Sequence, residues 1–235
     1  MAFGARHLTR HWQVGDGREE ALVRYVIEQV PRGDLDGVIA AVDRFCYERS
    51  LMMNIGDEKG MILDAAIRRA KPSRLMELGT YCGYSALRTI RAMPSGAHLY
   101  CVEFSKDNAG IALRVMEHAG VVDRATLVVG SLGDGRTPNL LESEHGFGQG
   151  CLDFLFLDHD KAAYLPDICT VLDRRWLKAG AIAVADNVRV PGAPKYRAYM
   201  QKEEGRTWRT VEHRTHVEYQ SLIPDLVLES DFLGS

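Results

Sequence analysis

The sequence lacks the marks of a secreted, membrane or nucleic-acid-binding protein. It contains no C-x-x-C pair, and its five cysteines (Cys46, Cys82, Cys101, Cys151 and Cys169) are an odd number. A thiolate metal site and a disulfide framework are both disfavoured, and a reducing compartment fits. No uninterrupted apolar run approaches the ~18 residues of a membrane helix. The opening stretch, MAFGARHLTRHWQ, has no apolar core of signal-peptide length, and Ala2 stands where a myristoylation signal needs glycine. Positive charge is not in excess: 29 Lys and Arg against 32 Asp and Glu give a net charge of −3. Binding to nucleic acid by bulk electrostatics is therefore disfavoured. Repeats, low-complexity tracts and linker-like stretches are also missing. These absences predict a soluble cytoplasmic chain with no membrane and no nucleic-acid partner.

What is present reads as one globular domain: 235 residues, 46% hydrophobic and 26% charged. Residues 1–16 carry little periodicity and read as a peripheral segment, with a single domain over 17–235. Within it, 17–71 reads as helical. Apolar residues recur at helical spacing over Arg18–Val30, Asp34–Arg49 and Glu58–Arg69. From residue 72 onward short apolar runs alternate with amphipathic stretches. Strands are predicted at Arg74–Gly79, Ala97–Glu103, Ala125–Val129, Leu152–Leu157 and Ala181–Ala185. Helices are predicted at Tyr84–Met93, Lys106–His118, Asn139–Glu144 and Ala162–Leu172. Alternating strands and helices imply a mostly parallel α/β sheet with helices on both faces. Trp208–Arg214 and Val217–Leu228 have no crossover helix between them and read as an antiparallel hairpin at the sheet edge. Ser143–Gly150 reads as a surface loop.

Ligands of such sheets bind beyond the carboxyl ends of the strands, so those ends carry the functional argument. The first runs Glu77-Leu78-Gly79-Thr80-Tyr81-Cys82-Gly83-Tyr84-Ser85. It is neither G-x-G-x-x-G nor a P-loop. Tyr81 would obstruct a pyrophosphate but not a nucleoside without phosphates. Glu103 ends the second strand, 26 residues after Glu77, where an acid can accept from two ribose hydroxyls; a solvated acid is the plainer alternative. Ser131 and Asp134 follow the third strand, where they can read an adenine edge. The fourth and fifth strands end in Asp158 and in Asp186-Asn187. Two neighbouring carboxylates call for a cation, and three hard oxygens without thiolates suit Mg²⁺. The alternative is a pair of helix N-caps. Lys161, three residues past Asp158, is a candidate base, though a surface lysine at a helix start is the commoner case. Two further functions stay open at this level: a nicotinamide-dependent oxidoreductase and a non-catalytic binding module.

Four stretches together resemble the catechol O-methyltransferase family: Met53-Asn54-Ile55-Gly56-Asp57-Glu58-Lys59-Gly60, the Glu77–Ser85 turn, Phe156-Leu157-Asp158-His159 with Lys161, and Ala185-Asp186-Asn187-Val188-Arg189-Val190-Pro191-Gly192. Order and spacing match from about Glu19 to Leu228. The resemblance implies a Rossmann-like class I methyltransferase fold with a mostly parallel seven-stranded sheet and an antiparallel C-terminal edge hairpin. It implies S-adenosylmethionine and Mg²⁺ as cofactors, a catechol or related phenol as acceptor, and a monomer or homodimer. By position, Asp158, Asp186 and Asn187 match metal ligands, Lys161 the general base, and Glu218 the acid that holds the second catechol hydroxyl. Met53, Ile55, Glu77, Gly79, Tyr81, Tyr84, Ser85, Glu103, Phe104, Ser131, Asp158 and His159 match cofactor contacts. Lys161, Asn187, Pro191 and Glu218 match substrate contacts. The chain departs from the family at Leu51 and Asp160, where tryptophans flank the catechol ring, and at Gly133, where a glutamine meets the adenine. The acceptor is therefore expected to be a different or broader vicinal diol or polar phenol.

Overall fold

The computed structural model describes residues 15–234, and of the expected peripheral segment 1–16 nearly all lies outside the described residues. Three helices come first: α1 (Arg18–Gln29), α2 (Leu35–Glu48) and α3 (Gly56–Ala70). The Asp34 carboxylate caps α2 by accepting from Gly37 N at 2.9 Å. Its apolar stripe of Val38, Val42 and Phe45 is buried. Strands and helices then alternate: β1 (Arg74–Leu78), α4 (Tyr84–Ala92), β2 (His98–Glu103), α5 (Lys106–His118), β3 (Ala125–Val129), α6 (Arg136–His145), β4 (Leu152–Leu157), α7 (Tyr164–Asp173) and β5 (Leu177–Ala185). The chain closes with α8 (Pro194–Lys202), β6 (Trp208–His216) and β7 (Pro224–Phe232).

The seven strands form one sheet in the order β3-β2-β1-β4-β5-β7-β6. The first five pair in parallel, and β7 runs antiparallel to both β5 and β6. Both faces are covered, so the central strands are apolar on both sides. In β4, Phe154 and Phe156 face one core with residues of α1–α5. Leu155 and Leu157 face the other, with Leu141 of α6, Ile168 of α7 and Tyr196 of α8. Strand order reverses between β1 and β4, and ligands of such sheets bind beyond the carboxyl ends at that point.

Three details differ from the sequence reading. The hairpin exists, but its second strand begins at Pro224 rather than Val217, because a proline cannot donate to the ladder and sits at a strand's first residue. Residues 217–223 form the connecting loop; the hairpin lies at the sheet edge as expected, with β7 paired to β5 and β6 outermost. Helix α8 was not anticipated. Its signals are Pro194 in the first turn and buried Tyr196 and Met200 four residues apart. The segment after Ser143 is not merely a surface excursion, because Phe147 is buried and packs edge-on against Tyr100 and Trp176. Phe156 fills the core between the sheet and the N-terminal helices at 1% exposure. Phe156→Ala is expected to lower stability by about 3–5 kcal/mol, the usual cost of an aromatic core cavity, read as a lower urea midpoint with the m-value unchanged.

Candidate active site

The turn after β1 is shaped by contact with the tip of β4. Gly79 has φ 89°, and a Cβ there would lie 2.6 Å from the Asp158 carbonyl oxygen, so only glycine fits. Tyr81 adopts φ 48° one step further on. The turn is held from β2: one Glu103 oxygen accepts from Thr80 N and Tyr81 N at 2.9 Å each, and the other from Ser105 N at 2.8 Å. Glu103 is thus a rigid carboxylate with acceptor capacity to spare, since two oxygens offer about four lone-pair sites. Beside it, the Phe104 ring is 81% exposed, an apolar face without cover.

The other residues singled out by sequence lie around this turn. Met53 and buried Ile55 lead into α3, and Ser85 is buried in the first turn of α4. The Tyr84 hydroxyl donates to Asp43 and accepts from Arg88, and the Tyr81 hydroxyl donates to Glu19. Ser131 follows β3, and Asp134 is spent on capping α6 by accepting from Arg136 N and Thr137 N. Glu77 is fully buried, and neither of its carboxylate oxygens has a hydrogen-bond partner. Burial pushes its pKa up to about 8.

The fourth and fifth strand tips are side by side. Asp158 N donates to Leu78 O and Asp186 N to Leu157 O, which extends the ladder by one residue on each strand. Asp186 is fully buried, and Oδ1 accepts from Asn187 N at 2.7 Å. Asn187 takes φ 52°, a left-handed conformation that asparagine tolerates. Its side-chain nitrogen donates to Glu218 and Asp225 at 2.9 Å each, which leaves the amide oxygen uncommitted. Burial raises the pKa of both Asp158 and Asp186, the latter to about 7, with nearby ammonium groups opposing. Lys161 Nζ donates to Asp158 Oδ1 at 2.9 Å and to the Tyr164 hydroxyl at 2.7 Å. That hydroxyl also meets the carbonyls of Leu157 and Asp186, so α7 braces both tips. His159 turns away, its Nε2 2.9 Å from Asp167 Oδ2 and its Nδ1 buried without a partner.

Glu218 lies on the β6–β7 loop, which meets the same sheet edge because β6 runs parallel to β5. Its Oε1 accepts from Lys59 Nζ and from Asn187, while Oε2 is uncommitted. Pro191 is exposed after β5 and joined to Val190 by a cis peptide bond. Leu51 is 59% exposed, and exposed Asp160 accepts from Ala162 N. The sequence reading gave no role to Lys59, Asp225, Tyr164 or Asp43. Lys59 lies inside the Met53–Gly60 stretch; the others gain meaning only from contacts far along the chain.

The donors fit the implied groups. Asp158, Asp186 and Asn187 offer hard oxygens and no thiolate, the set that suits Mg²⁺. Oxygens of Asp186, Glu218 and Asp225 also lie within 4.8 Å of one another, close enough to share a cation. The buried, unpartnered carboxyl of Glu77, the Glu103 carboxylate and the exposed Phe104 ring, on and beside the neighbouring strands β1 and β2, are groups that suit a cationic amino acid joined to a nucleoside.

Comparison with known proteins gives a consistent result. The O-methyltransferase family profile matches residues 34–204. A probable O-methyltransferase of Mycobacterium tuberculosis is 58% identical over 235 residues, covering 100% of both chains. Catechol O-methyltransferase B of Danio rerio is 41% identical over 217 residues, 92% of this chain and 80% of its own. Among solved structures, an O-methyltransferase from Streptomyces achromogenes in complex with S-adenosylmethionine superposes with a TM-score of 0.68 at 18% identity, over 94% of this chain and 100% of that one. The O-methyltransferase of Bacillus cereus in complex with S-adenosylhomocysteine gives 0.67 at 20% identity, over 97% and 96%. These last two likenesses bear on the fold.

The buried Glu77 carboxyl makes stability pH-dependent. Its folded pKa of about 8 lies above the ordinary 4.5, so between those values the folded state holds a proton that the unfolded chain has lost. Its contribution is full below about pH 4.5 and is lost as pH rises through about 8. Urea midpoints of the ligand-free protein are expected to fall across that window, and Glu77→Gln to flatten the fall.

Proposed function

Because the chain belongs to the class I S-adenosylmethionine-dependent O-methyltransferases of the catechol O-methyltransferase type, we propose that it methylates one hydroxyl of a catechol or related vicinal diol with the help of Mg²⁺. The carrying observation is the meeting of Asp158, Asp186, Asn187, Lys161 and Glu218 at one sheet edge beside the Gly79 turn. The charge balance agrees. Asp158, Asp186, Glu218 and Asp225, when ionised, face the ammonium groups of Lys59 and Lys161. Two negative charges remain, which one divalent cation neutralises.

Each residue has a part. Asp158, Asp186 and Asn187 would hold Mg²⁺, which when bound chelates vicinal oxygens and favours ionisation of one of them. Glu77, Glu103, Phe104, Ser131 and His159, with the Gly79–Ser85 turn and Met53 and Ile55, would hold S-adenosylmethionine, whose sulfonium supplies the methyl group. Lys161 Nζ takes the hydroxyl proton. It does so in its neutral form, which carries one positive charge less than the resting balance above: two hydrogens are engaged by Asp158 and Tyr164, and one lone pair is left to accept. Glu218 Oε2 holds the second hydroxyl and so fixes which oxygen faces the methyl carbon, and Pro191 walls the cleft. Holding nucleophile and methyl in line is the main source of rate in such a displacement.

The acceptor need not be a plain catechol. Leu51 and Asp160 stand where the family flanks the ring with aromatic walls, and an exposed carboxylate favours an acceptor with a polar or cationic tail. The five cysteines are free thiols, and among the described residues no helix is long and apolar enough to cross a membrane. Both facts support a cytoplasmic setting.

The purified protein is expected to transfer a methyl group from S-adenosylmethionine to a simple catechol with added Mg²⁺, and to lose that activity in excess chelator. Activity indifferent to the chelator would remove the metal from the reading. Lys161→Ala is expected to lower kcat by about 10²–10⁴-fold, the usual span for a general base, with cofactor affinity retained in calorimetric titration.

A further inference from the structure

The least expected group at this edge is a third cation carried by the chain itself. Lys59, in the second turn of α3, is 1% exposed. Its Nζ lies 2.5 Å from Glu218 Oε1, 2.8 Å from Asp186 Oδ2 and 3.2 Å from Asp225 Oδ2. We propose that the Lys59 ammonium fills the place of a second divalent ion among Asp186, Glu218 and Asp225, and thereby positions Glu218 for the acceptor. The positioning half rests on the role proposed above for Glu218; the charge half does not.

Three observations carry this. First, the three carboxylates have the spacing of a cation site, but their distances to the nitrogen are those of hydrogen-bonded ion pairs. Magnesium would need oxygens at about 2.0–2.1 Å. The cluster is therefore sized for an ammonium. Second, the acids are locked around it from other directions. The Asn187 amide donates to the same oxygens of Glu218 and Asp225, and Asp225 Oδ1 also accepts from Val190 N at 2.9 Å. Gly56, with φ 71°, brings the start of α3 so close that a Cβ there would lie 3.3 Å from Glu218 Cβ. Third, the nitrogen is enclosed with the charges it faces: the side chains of Lys59, Asp186 and Asp225 are at most 1% exposed and that of Glu218 14%. Without the ammonium two buried acids and the half-buried Glu218 would face one another with no cation of the chain between them, which is strongly unfavourable. Lys59 thus joins the proposed metal ligand Asp186 to the proposed acceptor-holding Glu218 and commits Glu218 Oε1, so that Oε2 alone is left for substrate.

The test is Lys59→Met, which keeps the length of the side chain and removes the charge. Bound Mn²⁺ per chain would be counted by electron paramagnetic resonance at pH 8, alongside acceptor KM, kcat and the affinity for S-adenosylmethionine. We expect the variant to hold one ion more than the wild type, and its acceptor KM to rise at least tenfold while cofactor affinity stays unchanged. An ion count equal to that of the wild type overturns the charge half, and an unaltered acceptor KM overturns the positioning half. If Lys59→Met does not fold, Lys59→Met with Asp225→Asn removes one charge of each sign. A raised KM in that double variant supports the proposal, and a wild-type KM refutes it. Should the wild-type protein show no catechol methylation at all, the function reading fails, but the ion count still decides the role of Lys59.

Discussion

Carboxylates crowd together at one edge of this sheet, and like charges in a buried site persist only where cations hold them. Every other feature of the site follows from that constraint. Asp158 is met by Lys161, and Asp186, Glu218 and Asp225 by Lys59. Each lysine leaves a defined remainder: one free position on the Lys161 nitrogen, one oxygen on Glu218, and, with both lysines as ammonium, two uncompensated charges in all. The raised pKa values of Asp158 and Asp186 have the same origin, since burial penalises the charged forms and the ammonium groups repay only part.

The scaffold supplies the crowding through backbone geometry. Parallel strands in register place their last residues side by side, and the ladder runs one residue past β4 and β5 into the two aspartates. Tyr164 ties both tips from below through a single hydroxyl. On the cofactor side, Glu103 uses backbone amides of the Gly79 turn to fix its own orientation, so turn and acid are one unit. The absence of a Cβ at Gly79 is what lets the turn and the tip of β4 touch.

A second network anchors the loop that carries Glu218. The next residue, Tyr219, sits at φ 54° and donates to Asp43, which also accepts from Tyr84. Tyr84 is tied to Arg88, and Arg88 to Asp64. Helices α2, α3 and α4 therefore hold the β6–β7 loop from behind. The N-terminal helices, which have no place in the parallel sheet, contribute Lys59 and this brace to the chemistry at its edge.

Much of this was legible in the residues alone. The strand tips Glu103, Asp158 and Asp186-Asn187 stand out because apolar runs stop at acids, Glu77 because it interrupts one just before the Gly79 turn, and the period change after Pro72 marks where helices give way to an α/β sheet. The boundaries were right for long periodic elements such as α5 and β4, where local pattern and burial agree. They failed at β7 and α8, where position in the sheet rather than periodicity decides. What the chain order determined by itself was which groups end the strands, since that depends on local sequence. Only the tertiary structure decided which of them share a charge. Ion pairing depends on distances between residues up to 166 positions apart, as for Lys59 and Asp225, and no local pattern encodes such a distance.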